Sequence, residues 1–462
     1  MPVIKSISGI RGTIGGAVGE NLTPFDILRF TTAYSQWVTN QSKSKKNTVV
    51  VGRDARVSGP MITNIVIGTL TGCGIHVLNL GLASTPTVEM AVIEEKANGG
   101  IIITASHNPK QWNALKLLDK HGEFLSDDDG KKVLILAENN FPKYAEIYQL
   151  GTVTEIKDYN KKHIRKILTL PLVDKKAIAK AKFTILVDGI NSVGSLAVKE
   201  LLTALKVNKI IEVNNVPNGL FAHNPEPLPE HLTETIKNTV KSKAHLGIVV
   251  DPDVDRLAFI CEDGTFFGEE YTLVAVADYV LSKTPGNTVS NLSSSVALRD
   301  ITKKYGGKYT ATAVGEVNVV KAMKDTKAII GGEGNGGVIY PELHYGRDAL
   351  AGIALFLSHL AQSGLSCSGL RKTLPDYFIS KNKIELKKEI VPNKLINKLH
   401  NKYKNFSCII VDGIRIDFEN EWVHIRKSNT EPVIRIYAES TTMQKADKLA
   451  KKIINEILTI TK

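Results

Sequence analysis

A chain of 462 residues outgrows a single hydrophobic core, because cores stop enlarging near ~250–300 residues, so three or four domains are expected. Apolar residues make up 43% and charged residues 23%, the proportions of an ordinary globular protein, which excludes general disorder. The net charge of +12 comes from scattered lysines with only 6% aromatics, which argues against a nucleic-acid partner and for a solvated surface or a small anionic ligand.

The opening residues, MPVIKSISGIRG, are too polar for a signal sequence. No stretch reaches the ~18 apolar residues of a membrane span, so a cytoplasmic protein without a membrane partner is expected. Arg11 stands beside glycines there, as do Arg53 and Arg56 in VGRDARVSG, and each is a weak signal alone. From residue 47 onward strand-like apolar runs alternate with helical patterns: NTVVVGRD, IHVLNLG, GGIIITAS, FTILVDG, LGIVVDPD and KAIIGGEG. That alternation predicts α/β layering, with ligands gathering beyond the strand ends. Cys73, Cys261, Cys367 and Cys408 lie far apart without a CxxC pair and read as reduced core thiols.

The stretch IIITASHNPKQWNALK, residues 101–116, runs a buried-looking strand into a Ser-His-Asn-Pro corner, with Lys116 ten residues after Ser106. A small hydroxyl presented on a tight turn suits a reactive site, and Ser106 reads as a nucleophile, a carrier or a turn residue. Further on, DPDVDR places Asp251, Asp253 and Asp255 at alternate positions, which brings their carboxylates to one side. Each pair repels by about 4 kcal/mol at ~4 Å and an effective dielectric near 20, so a cation is needed, and hard oxygen donors point to Mg2+. An EF-hand would place Glu262 correctly, but Arg256 stands where that loop needs glycine and the flanks read as strands.

GGEGNGGVIY, residues 331–340, is glycine-dense, with Glu333 and Asn335 its only polar side chains before the final tyrosine. It lacks P-loop spacing and suits either sugar hydroxyls or a flexible hairpin. HIRKSNTEPVIRI, residues 424–436, puts Arg426, Ser428, Asn429 and Thr430 in a small-polar turn with Arg435 on the next strand, a set that fits a phosphate or a plain turn. The last unit alternates like antiparallel strands and closes with a helix whose Met443, Ala446, Ala450, Ile453 and Ile457 form one stripe, an α+β end domain. Boundaries are expected to give units 1–152, 153–256, 257–370 and 371–462.

Together TASHNP, DPDVDR, GEGNGG and RKSNTEP, in that order, resemble the α-D-phosphohexomutases over the whole chain from SGIRG onward. The resemblance implies a four-domain architecture, three related mixed-sheet α/β domains plus a smaller C-terminal α+β domain around a central cleft. It implies that Ser106 carries phosphate and that Asp251, Asp253 and Asp255 share one Mg2+ with that group. His107 and Asn108 would shape the loop, Arg256 and Arg11 would serve the transferring group, and Lys116 would act as acid or base with a pKa lowered by nearby cations. Arg426, Ser428, Asn429, Thr430 and Arg435 would grip the idle phosphate, and Glu333 and Asn335 the sugar hydroxyls. The implied reaction exchanges hexose 6-phosphate and hexose 1-phosphate through a 1,6-bisphosphate, which also serves as activator, in a monomer or homodimer. Glucosamine phosphate is the expected sugar, a phosphoglucomutase/phosphomannomutase the alternative, and a metal-dependent sugar phosphatase a distant one. Two departures stand out: Ala114 follows Asn113 where glycine is usual, and Asn335 and Gly337 replace a serine and a histidine.

Overall fold

The computed structural model describes residues 4–6, 9–42, 46–138, 143–385, 392–428 and 433–460. Four sheets follow one another along the chain. The first holds β1 (Ile4–Ser6), β2 (Gly9–Thr13), β3 (Thr48–Arg53), β4 (His76–Leu82), β5 (Gly99–Ile103), β6 (Trp112–Leu118) and β7 (Val153–Glu155), in the order β1-β2-β6-β5-β3-β4-β7. Its centre is parallel and its β2, β6 side antiparallel. Both faces are covered, and the side-chain period of two shows directly. Val49, Val51, Ile101 and Ile103 pack into one core with Phe30, Tyr34 and Trp37, while Val50 and Ile102 point to a second core with Val88 and Val92.

The second sheet holds β8 (Thr184–Asp188), β9 (Lys209–Val213), β10 (Leu246–Val250) and β11 (Leu257–Cys261), ordered β11-β10-β8-β9. The third holds β12 (Thr288–Asn291), β13 (Tyr309–Thr312), β14 (Ile330–Glu333) and β15 (Gly337–Ile339), ordered β13-β12-β14-β15. In each, three parallel strands end in one antiparallel hairpin strand. Lobes two and three share a continuous core in which Phe259 stacks on Phe356 at 3.8 Å between ring centres. The fourth sheet is wholly antiparallel: β16 (Phe378–Glu385), β17 (Ser407–Ile409), β18 (Ile414–Asp417), β19 (Trp422–Lys427) and β20 (Val433–Ser440), ordered β16-β20-β19-β18-β17. Three mixed α/β lobes and a smaller antiparallel one are the architecture expected from the sequence.

Two strands fall across the expected boundaries. The unit expected to begin at 153 starts with β7, which pairs parallel with β4 and so completes the first sheet. The unit expected to begin at 257 starts with β11, which pairs with β10 in the second. The physical reason is that DPDVDR is the turn of a hairpin, and its two strands belong to one ladder. The final helix, Met443–Ile460, buries Ala446, Ala450, Ile453 and Ile457 as expected, but Met443 is 46% exposed and Leu449 joins the core instead. Among the described residues no helix is long and apolar enough to cross a membrane.

Candidate active site

The parallel strands carry their functional groups at their carboxyl ends. Residue 104 leaves β5 and the chain turns sharply, with Ser106 in the left-handed region at φ 49°. The turn is held from below. Thr104 Oγ1 accepts the Ser106 amide at 2.9 Å and donates to Asp54 at 2.7 Å. The fully buried Arg56 guanidinium donates to the carbonyls of Ser106, Asn108, Pro109 and Trp112 at 2.6–2.8 Å, and through Nε to Asp54 at 3.0 Å. A planar cation with five donors thus closes the corner, and the backbone strain of about 1–3 kcal/mol at Ser106 is offset by that clamp.

Directly opposite, the hairpin turn after β10 brings in the aspartates. Ser106 Oγ donates to Asp251 Oδ2 at 2.6 Å. Asp251 Oδ1 accepts the amides of Asp255 and Arg256 at 3.1 Å each, which folds the turn around its own first carboxylate. Val254, a β-branched residue, sits there at φ 61°, and its carbonyl accepts the amide of Ala349 from the third lobe. One donor oxygen from each aspartate lies within 4.8 Å of the others, and all three residues are buried.

The cations come from elsewhere. Lys116, on β6 opposite Ile102, reaches Asp253 Oδ2 at 2.6 Å and Asp255 Oδ2 at 3.3 Å. Thr85, which opens the helix Thr85–Glu94, donates to the same Asp253 oxygen at 2.6 Å. Arg347 binds three carboxylates at once: Asp255 at 2.8 Å, Glu333 at 2.7 Å and Glu316 at 2.8 Å. Arg11, on β2 across from Ala114, donates to Asn108 Oδ1 at 3.1 Å, and Arg256 donates to Glu226 at 3.3 Å.

Burial, then Asp253 and Asp255, push Asp251 well above the ordinary carboxylate range. Burial alone would also raise Asp253, but Lys116 and Thr85 hold it below that range. Burial raises Glu316 to about 7. Five carboxylates therefore meet Lys116 and Arg347 in a space short of positive charge. Asp253 Oδ1 and Asp255 Oδ1 are buried and accept no hydrogen bond. Buried, unpartnered, all-oxygen donors beside a hydroxyl fit a hard divalent cation such as Mg2+.

Lys116 differs from expectation. Burial would lower its pKa, yet Asp253 and Asp255 outweigh burial and raise it, so here the side chain is an ammonium and not a poised amine. His107, whose Nδ1 lies 3.4 Å from Ser106 Oγ, is pushed well below its usual range, by burial first and then by Arg256 and Arg11. It stays a neutral imidazole near pH 7. Burial lowers Arg11 to about 10, with Arg256 adding to the effect.

The glycine-dense turn joins β14 to β15. Glu333 is buried and accepts from Asn291, Gly315 and Arg347, and Asn335 caps the turn by accepting the Gly337 amide at 3.1 Å. Gly336 has φ 87°, and a Cβ there would strike the Leu257 carbonyl, so glycine is required. At Gly337 a Cβ would strike Arg347 Cδ. The arginine fills the space in which a longer side chain would otherwise stand. Ala114 lies in β6 outside the left-handed region, so alanine fits there.

Arg426 and Arg435 face each other across β19 and β20. Arg435 donates to Ser428 Oγ at 3.4 Å and to Tyr437 at 3.0 Å. Arg426 Nε is buried and accepted by no group among the described residues. Burial lowers the pKa of Arg426, and Arg435 adds to that, while Glu333 acts on it in the opposite sense, which sets the sugar-loop carboxylate and this arginine in one electrostatic field. Asn429 and Thr430 lie outside the described residues.

Sequence reading missed Thr85, Glu226, Glu316 and Arg347. The one local signal was Arg347-Asp348 ahead of the apolar helix Ala349–Ser363: Asp348 is legible as its N-cap, which leaves the arginine without a local reason. A surface cavity of about 570 Å3, lined by Lys96, Lys120, His121, Lys324 and others, shares no residue with this constellation. Chemistry, not concavity, marks the site.

Profiles described as phosphoglucomutase/phosphomannomutase match in series: alpha/beta/alpha domain I over residues 4–143, domain II over 161–264, domain III over 268–378 and the C-terminal domain over 384–456. A phosphoglucomutase/phosphomannomutase from Thermococcus kodakarensis is 35% identical, covering 97% of this chain and 98% of its own. A phosphoglucosamine/phosphogalactosamine mutase from Sulfurisphaera tokodaii is 32% identical over 96% and 97% of the two chains. Among solved structures, a phosphoglucomutase/phosphomannomutase family protein from Burkholderia thailandensis shares the fold, with a TM-score of 0.84 at 24% identity over 99% of this chain and 97% of that one.

Proposed function

Because the chain belongs to the phosphoglucomutase/phosphomannomutase family of phosphohexomutases, we propose that it interconverts glucosamine 6-phosphate and glucosamine 1-phosphate, with Ser106 as phosphoryl carrier. One observation carries this reading: Ser106 Oγ rests 2.6 Å from Asp251, in a buried aspartate trio that Lys116 also enters. The Thermococcus relative keeps glucose and mannose phosphates as the alternative substrates.

Asp251, Asp253 and Asp255, with the oxygen on Ser106, would hold Mg2+, which when bound would neutralise charge on the group in transfer. The rest falls to the chain's own residues. The Arg56 clamp fixes the serine in line with an incoming hydroxyl, so alignment is settled before substrate arrives. Arg11 and Arg256 supply cations for the phosphoryl oxygens. Lys116, as an ammonium, gives a proton to Ser106 Oγ as the phosphoryl group leaves it and takes that proton back when Ser106 attacks the bisphosphate. The sugar hydroxyl's proton passes to an oxygen of the phosphoryl group it receives and returns to the sugar oxygen on the second transfer. Arg426, Ser428 and Arg435 grip the idle phosphate, with Asn429 and Thr430 adding donors. Glu333 and Asn335 receive the sugar hydroxyls. When the 1,6-bisphosphate reverses end for end, the same arginines hold the other phosphate, and one anchor serves both directions. Lobe four joins the loop after β12 through Arg415 to the Leu292 carbonyl and His424 to Ser293, both 2.8 Å, a hinge on which it closes against water.

The test incubates purified protein, Mg2+ and catalytic bisphosphate with the 1- and 6-phosphates of glucosamine, glucose and mannose. The glucosamine pair is expected to give the highest kcat/KM. Steady release of free phosphate without isomerisation would replace the mutase by a phosphatase.

A further inference from the structure

Behind the helix Thr85–Glu94 three lobes converge on a second polar cluster, and the phosphoryl-transfer site uses none of its residues. His163 Nε2 lies 2.9 Å and His344 Nε2 3.3 Å from the same oxygen, Asp348 Oδ2. All three residues are buried, and these ligand atoms lie within 4.8 Å of one another. Asp348 Oδ1 is occupied by the amides of Leu350 and Ala351, so Oδ2 is the oxygen left to face the rings.

The outer nitrogens of the two rings decide what stands between the inner ones. Thr87 Oγ1 lies 3.2 Å from Asn160 Oδ1, 2.7 Å from Ser84 Oγ and 3.0 Å from His163 Nδ1, so a hydroxyl oxygen stands ready to receive an Nδ1 proton. His344 Nδ1 faces Glu89 Oε2 at 3.4 Å, and Glu89 is a fully buried side chain whose two oxygens accept no hydrogen bond. Both Nε2 atoms meet Asp348 Oδ2 at hydrogen-bonding distance, and with each ring's proton on Nδ1 their lone pairs and that carboxylate oxygen converge on one point. Such convergence suits a cation. Carboxylate and hydroxyl groups beside the outer nitrogens are the usual second layer of a histidine metal site, and here His344 Nδ1 and both Glu89 oxygens are buried without a hydrogen-bond partner.

We propose that His163, His344 and Asp348 bind a divalent transition ion of the zinc class, with Thr87 and Glu89 orienting the rings. Bonds of ~2.0–2.1 Å in a tetrahedron place ligand atoms about 3.3 Å apart, which matches the His344 separation, while His163, now at hydrogen-bond distance, would draw back slightly. The donors distinguish this site from the aspartate trio: two imidazoles and a carboxylate favour zinc over magnesium. A cavity of about 460 Å3, lined by His163 together with Glu94, Glu95 and Tyr159, opens beside one of the three ligands. The ion would join His163 of the second lobe to His344 and Asp348 of the third, with Thr87 and Glu89 of the first behind the rings.

Chelator-stripped protein titrated with Co2+ alone tests this. Low-symmetry four-coordinate Co2+ with nitrogen ligands gives strong visible bands, whereas an all-oxygen octahedral site gives faint ones, so the two sites separate in the wild-type spectrum. Strong bands at one ion per chain are expected. His163→Gln and His344→Gln should lose them, Glu89→Gln should weaken binding about 10- to 100-fold, and Asp253→Asn should keep them. Faint bands only, or strong bands that survive both histidine substitutions, would overturn the proposal and leave protons as the cations of the cluster. Should neither histidine variant fold, the wild-type spectrum still decides.

Discussion

The serine corner and the arginine strands of the fourth lobe are both phosphate sites in this reading, yet they are built on opposite plans. At Ser106 the loop carbonyls are gripped by Arg56, the hydroxyl by Asp251, and Asp253 and Asp255 by Lys116 and Arg347. Across β19 and β20, two arginines stand directly opposite each other, Arg435 donating to the hydroxyls of Ser428 and Tyr437 while Asp412 and Glu333 act on Arg426 through space. Like charges so placed cost stability in the free protein. The difference follows from the task. A group in transfer must meet an environment already organised for its charge, whereas an anchor gains by gathering positive charge that a bound phosphate can share.

Four substitutions, in falling order of effect, and one titration press on that contrast. Ser106→Ala is expected to lower kcat by roughly 10^4-fold or more while circular dichroism and melting stay near wild type, since one hydroxyl contact is removed. Wild-type turnover in that variant would end the carrier assignment. Asp253→Asn should lower kcat about 10^2- to 10^3-fold and flatten the Mg2+ dependence, because Lys116 loses its closest partner and the trio a ligand; an unchanged rate in chelator would remove the metal from the reading. Arg56→Lys tests the built side of the comparison in the absence of substrate. Three donors cannot serve four carbonyls and Asp54, so denaturant unfolding should show a loss of about 3–5 kcal/mol.

Arg426→Gln should behave in the opposite way. KM is expected to rise roughly 10- to 100-fold, the worth of a charge-assisted hydrogen bond, while the free protein stays as stable as wild type or gains up to ~1 kcal/mol from relieved repulsion. A large stability loss would show Arg426 to be structural. The titration concerns the joint between lobes three and four. Burial pushes His424, which bridges Ser293 and the Asp412 carbonyl, from 6.5 to about 3. The unfolded chain then binds the proton first as pH falls, so the stabilisation is complete above pH 6.5 and is lost progressively from there toward pH 3. Melting temperature followed from pH 7 to pH 4 should drop more steeply in wild type than in His424→Gln.

Much of this site was legible in the chain because its parts are short and locally encoded. A five-residue apolar strand before a Ser-His-Asn-Pro corner, and three aspartates at alternate positions between two apolar runs, each declare a loop at a strand end. The charge state of Lys116 was not legible. Its spacing from Ser106 is local, but its pKa is set by aspartates 137 and 139 residues away. Arg347 was missed for the same reason, since its partners Asp255, Glu316 and Glu333 come from a hairpin turn, a helix start and a strand end far apart in the chain.

By itself, then, the sequence determined which strands form, which turns follow them and which of those turns carry chemistry, since periodicity and turn residues act over a few positions. Tertiary structure alone decided which lobe owns β7 and β11, why Gly337 is small, and how Thr87, Glu89, His163, His344 and Asp348 come to share one space. Those outcomes depend on pairing and packing between segments far apart in the chain, where Coulomb fields and close contact operate through space and leave no local pattern.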